Sequence, residues 1–104
     1  MEQAVIVHFS LSQDRCGSPV DRDALFTLQE SMATAIEKAG AGEFDGDLIG
    51  EGECILYMYG PDADRLYNAI EPLLKSSTLA SGGYAVKRYG EVHDHNAPQM
   101  RVRW

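Results

Sequence analysis

Positive charge is scarce in this chain and unevenly placed. Nine Lys and Arg stand against sixteen Asp and Glu, a formal net charge of −7. No basic residue occurs between Lys38 and Arg65, while Glu43, Asp45, Asp47, Glu51, Glu53, Asp62 and Asp64 all fall in that gap. Phosphate backbones and anionic bilayers are held by clustered Lys and Arg, so nucleic acid and membrane surfaces are excluded as expected partners. From Tyr84 onward the balance reverses, with Lys87, Arg88, Arg101 and Arg103 against Glu91 and Asp94. That tail is too sparse in cations to hold a phosphate backbone.

Cysteine is nearly absent as well. Cys16 and Cys54 are the two there are, without the Cys-x-x-Cys spacing of a zinc knuckle or a thioredoxin-type site, and two thiols cannot ligate an iron–sulfur cluster alone. No long apolar run exists. The longest, Ala4 to Phe9, is interrupted by His8 and falls far short of the ~20 residues of a membrane span. No basic-then-apolar leader opens the chain. The expected home is cytoplasmic, with both thiols reduced. Low-complexity tracts and internal repeats are also missing, and 104 residues suit a single domain able to bury its own core.

Local patterns then order the chain. Ala4 to Leu11 is rich in Val, Ile and Phe and reads as a strand, with Val5, Val7, Phe9 and Leu11 alternating against Ala4, Ile6, His8 and Ser10. Ser12 to Val20 carries loop residues. Asp21 is placed to cap a helix whose apolar stripe runs Leu25, Leu28, Met32, Ala35, Ile36 and Ala39, closed by Lys38 and Gly40. Glu43 to Ile49 is a strand diluted by Gly46, and Gly50-Glu51-Gly52 supplies a turn before a second strand, Glu53 to Tyr59. Gly60-Pro61-Asp62 opens another helix, with proline expected at the first helical position and Ala63, Leu66, Ile70, Leu73 and Leu74 on its buried side. Pro72 is expected to bend it or tighten its last turn. Tyr84 to Tyr89 is a fourth strand and Gln99 to Trp104 a short fifth.

Strand, helix, strand, strand, helix, strand is the order of an α+β ferredoxin-like βαββαβ sandwich, with the last strand added at the edge beside the fourth. Right-handed crossovers would place both helices on one side of the sheet. Alternation along Cys54, Leu56 and Met58 against Ile55, Tyr57 and Tyr59 assigns the first set to the core, since tyrosines can keep their hydroxyls wet. By the same parity the uncovered side collects Ile6, His8, Asp45, Asp47, Tyr57, Tyr59, Lys87 and Tyr89. The candidate binding residues are therefore His8, Tyr57, Tyr59, Lys87, Tyr89, Asp45 and Asp47. An aromatic, polar and titratable patch of this kind marks an interface. A second copy or another protein is its expected occupant, with coverage by a tail carrying Trp104 as a further way to bury it.

Other motifs fail on spacing. Asp45-Gly46-Asp47 resembles a calcium loop, but the fifth and twelfth positions counted from Asp45 are Ile49 and Leu56, which offer no oxygen. His93-Asp94-His95 has three donors on one short loop without HExxH or Cys spacing, so no metal is expected. The glycines of Gly50-Glu51-Gly52 precede a strand rather than a helix, so they form no dinucleotide fingerprint. Neither a GxSxG nucleophile motif nor the basic pattern of an RNA-stacking sheet is present. No cofactor is expected.

The string DGDLIGEGECILYMYGPDADRL, with Arg88-Tyr89-Gly90 further on, resembles a family of small bacterial proteins carrying a DGDxxGxGExxLYxYGPDADxL-like signature. The resemblance spans Gly42 to Gly90, about half the chain. It implies a bacterial cytoplasmic domain and supports the hairpin–helix unit, and it brings no activity, substrate or catalytic residue with it. The expected role is a non-catalytic interaction or binding module that self-associates through the uncovered sheet face. The alternative is a small-molecule sensor or enzyme using His8 and the tyrosines of that face.

Overall fold

A computed structural model of the chain describes residues 2–11, 19–91 and 94–104, and the side chains of all of these except 19–21. The elements follow in the order β1 (Gln3–Ser10), α1 (Pro19–Ala39), β2 (Glu43–Gly50), β3 (Glu53–Gly60), α2 (Ala63–Ser76), β4 (Tyr84–Arg88) and β5 (Gln99–Val102). They form an α+β architecture in which a five-stranded antiparallel sheet, ordered β2-β3-β1-β4-β5, carries both helices on one face. β1 and β2 are each antiparallel to β3, so they run parallel to one another across it. β3 and β4 have the same relation across β1.

The core lies between sheet and helices. Val5, Val7 and Phe9 of β1 and Cys54, Leu56 and Met58 of β3 meet Leu25, Leu28, Met32 and Ile36 of α1 and Ala63, Leu66, Tyr67, Ile70 and Leu74 of α2. The direct opposition of Val5 to Met58, Val7 to Leu56 and Phe9 to Cys54 shows why the cysteine-bearing side of β3 faces inward. In-register β-branched and long apolar side chains build one continuous layer under the helices. No polar or charged residue is fully buried among the described residues.

Helix boundaries follow local chemistry, with two departures from the pattern. α1 begins at Pro19, so Asp21 lies inside its first turn rather than capping it, and proline occupies the first helical position, where its missing N–H is not needed. α1 ends in a double cap: the Gly40 N–H donates to the Glu37 carbonyl and the Ala41 N–H to the Ile36 carbonyl, both at 3.0 Å, with Gly40 at φ 60°. α2 begins two residues later than proline-first entry requires. Asp62 is its N-cap, its Oδ1 accepting from Asp64 N–H at 2.9 Å and Arg65 N–H at 3.3 Å, so Pro61 stands outside the helix. The Ala63 N–H is taken by Gln3 Oε1 at 2.8 Å, which ties the helix start to β1. α2 continues through Pro72 to Ser76; the Asn68 carbonyl left without its helical donor belongs to an exposed residue, where water can serve it.

The β2–β3 connection is a two-residue turn in which Glu51 (φ 57°) and Gly52 (φ 75°) both adopt left-handed backbone, as the twist of a tight hairpin requires. Nearer its start β2 carries a bulge: Phe44 opposes Met58, Gly46 opposes Tyr57, and Asp45 is the extra residue between them. One inserted residue reverses the alternation downstream. Asp47 therefore shares the helix side with Leu56, where it accepts a hydrogen bond from Gln29 Nε2 of α1 at 2.6 Å.

Candidate interaction surface

The helix-free side of the sheet is made of cross-strand rows fixed by the register. One row runs Glu43, Tyr59, Ala4, Arg88, Gln99 from β2 to β5. The next runs Gly46, Tyr57, Ile6, Val86, Arg101, and a third Leu48, Ile55, His8, Tyr84. Each row is apolar or aromatic at its middle. Acids stand at the β2 end, where Glu43 and the bulged Asp45 are exposed, and arginines at the β4–β5 end. Leu48, 59% exposed, and the half-buried Ile6, Ile55, Tyr57, Tyr59 and Val86 leave a contiguous apolar strip with no cover among the described residues.

A second line of contacts crosses these rows. The Arg101 guanidinium carbon lies 4.3 Å from the centre of the Tyr84 ring. Tyr84 stacks on His8 with centroids 4.7 Å apart and planes within 10°. His8 Nδ1 lies 3.4 Å from Glu53 Oε1. Cation, two rings and carboxylate thus join β5, β4, β1 and β3 on the uncovered side, and such pairs brace an exposed sheet surface. Beside them is a crevice of only about 70 Å³, lined by His8, Ser10, Glu53, Gly83 and Tyr84 among others. Tyr59 has its pKa raised, first by burial and then by the negative charge of Asp45, which keeps its hydroxyl neutral as a donor.

Of the residues expected on this surface, His8, Tyr57 and Tyr59 are there, and Asp45 borders it at the bulge. Asp47 is not, for the reason of the bulge. Lys87 and Tyr89 are not there either. Val5 opposes Lys87 and Val7 opposes Ala85, which puts the odd-numbered residues of β4 under the helices. Ala85 is the one residue of β4 that is fully buried, while Lys87 and Tyr89 reach to partners on α2. Lys87 Nζ is 3.1 Å from Asp64 Oδ1 and 5.2 Å from the Tyr67 ring centre, and Tyr89 donates to Asp64 Oδ1 at 2.7 Å. These bonds from Tyr89 and then Lys87 lower the Asp64 pKa. Burial pulls the Lys87 pKa down, but Asp64 and Tyr89 outweigh it and the net shift is upward. The cluster is a latch between α2 and the sheet. The Tyr67 hydroxyl is buried, and burial first and the nearby Glu71 carboxylate second raise its pKa.

Trp104 does not cover the uncovered side. Its indole packs on the helix-side core and its Nε1 donates to the Ala80 carbonyl at 3.1 Å, because Val102 opposes Ala85 and carries the tail's alternation to that side. The residues that alternation alone did not place on the surface are Glu43, Leu48, Tyr84, Val86, Arg88 and Arg101. Gly46, an isolated glycine in a strand, is the sequence signal that could have revealed the bulge.

Other features do not compose a site. His93 lies outside the described residues, and no group of three or more His, Cys, Asp or Glu among the described residues is placed to hold a metal. Burial, with the charges of Asp47 and Glu53 adding to it, pushes the Cys54 thiol up to about 12, so it is protonated and unreactive at neutral pH. No described helix is long and apolar enough to cross a membrane. Among known proteins, no family model, no curated protein and no solved structure matches this chain.

Proposed function

We propose that this protein is a non-catalytic interaction module that pairs with a second copy of itself through the helix-free face of its sheet. The observation that carries this is the uncovered strip of Leu48, Ile55, Tyr57, Ile6 and Val86, framed by acids on one side and arginines on the other. A two-layer domain that covers one sheet face leaves the other to a partner when that face is apolar. Twofold pairing is the commonest way for identical chains to bury such a face. The crevice at His8, about 70 Å³, is well under the ~300 Å³ typical of small-molecule sites, which weighs against a sensor or enzyme there. A ferredoxin-like assignment belongs to the same proposal: the order β1-α1-β2-β3-α2-β4, with β1 and β3 inside β2 and β4, supports it, and β5 is then the added edge strand. Residence in a reducing cytoplasm belongs to the proposal as well, in keeping with the unpaired thiol of Cys54.

Sedimentation velocity tests the pairing. The wild-type chain at ~100 μM should run at twice its 11.5 kDa mass, and the Tyr57→Ser/Tyr59→Ser variant as a monomer. These rings are already half-buried, so each contributes about 1 kcal/mol on association. Twofold symmetry counts each ring twice, which makes ~4 kcal/mol, or about a thousandfold in Kd. A wild-type chain that stays monomeric, or a variant with unchanged mass, overturns the reading.

A further inference from the structure

Resting on that self-pairing, we propose that the two copies meet face to face about a twofold axis that runs along β1, so that β2 of each copy lies over β5 of the other and β3 over β4. Two face-to-face arrangements keep the strands of packed sheets aligned, the usual geometry at ~10 Å spacing. An axis across the strands would put β2 on β2 and β5 on β5. The β2 edge with Glu43 and Asp45 would then lie along the same edge of its copy, and the β5 edge with Arg101 along its own copy's, and like charges juxtaposed across an interface are strongly disfavoured.

An axis along β1 reverses every row onto itself. The acidic β2 edge of each copy then meets the β5 edge of the other, which carries Arg101: Glu43 comes over Gln99, Tyr59 over Arg88, and Arg101 over Gly46. A Cβ added at Gly46 would meet nothing within 4 Å, so this position leaves room for a long side chain to reach the neighbouring Asp45. In the middle of the rows Tyr57 covers Val86, Ile55 covers Tyr84, and Ile6 meets Ile6 on the axis. The charge polarity of the face and its apolar centre are thus satisfied by the same operation. The size of the face is adequate. Five strands about 4.8 Å apart and up to ~25 Å long present roughly 500–600 Å² in projection, and the exposed Arg101 and Glu43 bring this towards the ~800 Å² per partner of a standard interface.

Cysteine cross-linking tests the axis and the pairing separately. In a Cys16→Ser background, Glu43→Cys, Gln99→Cys and Ile6→Cys chains are treated with a short bis-maleimide at the concentration used for sedimentation. Ile6→Cys should cross-link to itself. Glu43→Cys mixed with Gln99→Cys should give covalent dimer at ten or more times the yield of either chain alone. Self-cross-linking of Glu43→Cys alone, or a sedimenting dimer whose mixture stays uncoupled, overturns the axis while leaving the self-pairing intact. Absence of Ile6→Cys dimers together with a monomeric wild type overturns the self-pairing and the axis with it.

Discussion

Replacing Gly60 by alanine should destabilise the fold far more than replacing Gly50, although both are glycines at the ends of paired strands. An ideal Cβ on Gly60 would lie 2.1 Å from the Ala41 carbonyl oxygen and 3.1 Å from both the Ala41 carbonyl carbon and the Gly42 Cα. Each obstacle is backbone, so no rotamer change can make room, and the start of β2 must retreat by nearly an ångström. Ala41 is 1% exposed and its N–H closes the α1 cap on Ile36, so that retreat pulls on the helix end and on the core together. Overpacking a tight site costs typically 1–3 kcal/mol; with backbone on both sides the upper end applies, about 3 kcal/mol. That is a fifth to a half or more of the ~5–15 kcal/mol that a domain of this size commands. A Cβ on Gly50 meets nothing within 4 Å, and Gly50→Ala should stay within about 0.5 kcal/mol of wild type. Urea unfolding followed by the fluorescence of Trp104 measures both. Gly60→Ala should lower the midpoint by roughly 1–3 M at unchanged slope. Equal midpoints for the two variants, or a Gly60→Ala midpoint at the wild-type value, would refute the close-approach account.

Two further outcomes follow from local chemistry. Glu51 carries left-handed backbone in the β2–β3 turn, a conformation that costs most residues about 1–2 kcal/mol but Asn much less. Glu51→Asn should therefore raise stability by about 1 kcal/mol in the same urea assay, and a neutral or lower midpoint would count against the turn assignment. The Cys54 thiol, held at about 12 in the fold, ionises near its ordinary value of 8.5–9 when the chain unfolds. Between pH 9 and 11 the folded state keeps a proton that the unfolded state has lost, so stability should fall by about 1.4 kcal/mol per pH unit from this group alone. Cys54→Ala should show a slope shallower by that amount, and parallel slopes for the two proteins would refute it.

The chain's own pattern determined which segments become strands and helices. Alternation and a 3.6-residue stripe arise from neighbours within one element, and the core side of β1 and β3 was legible because both strands repeat apolar residues over a long enough run. The clustering of acids before Arg65 and of bases after Tyr84 was visible too, but only the antiparallel order β2-β3-β1-β4-β5 turned that linear segregation into opposite poles of one surface. Face assignment at the ends of the sheet was decided by tertiary structure. A single extra residue at Asp45 sent Asp47 to the helices, and the register of β4 on β1 carried Lys87 and Tyr89 to Asp64 of α2 while turning Tyr84, Val86 and Arg88 outward. Periodicity states that two sets of side chains lie on opposite sides of a strand. Which set a short, amphipathic strand buries depends on the partners that long-range packing brings to it, and those partners are remote in sequence.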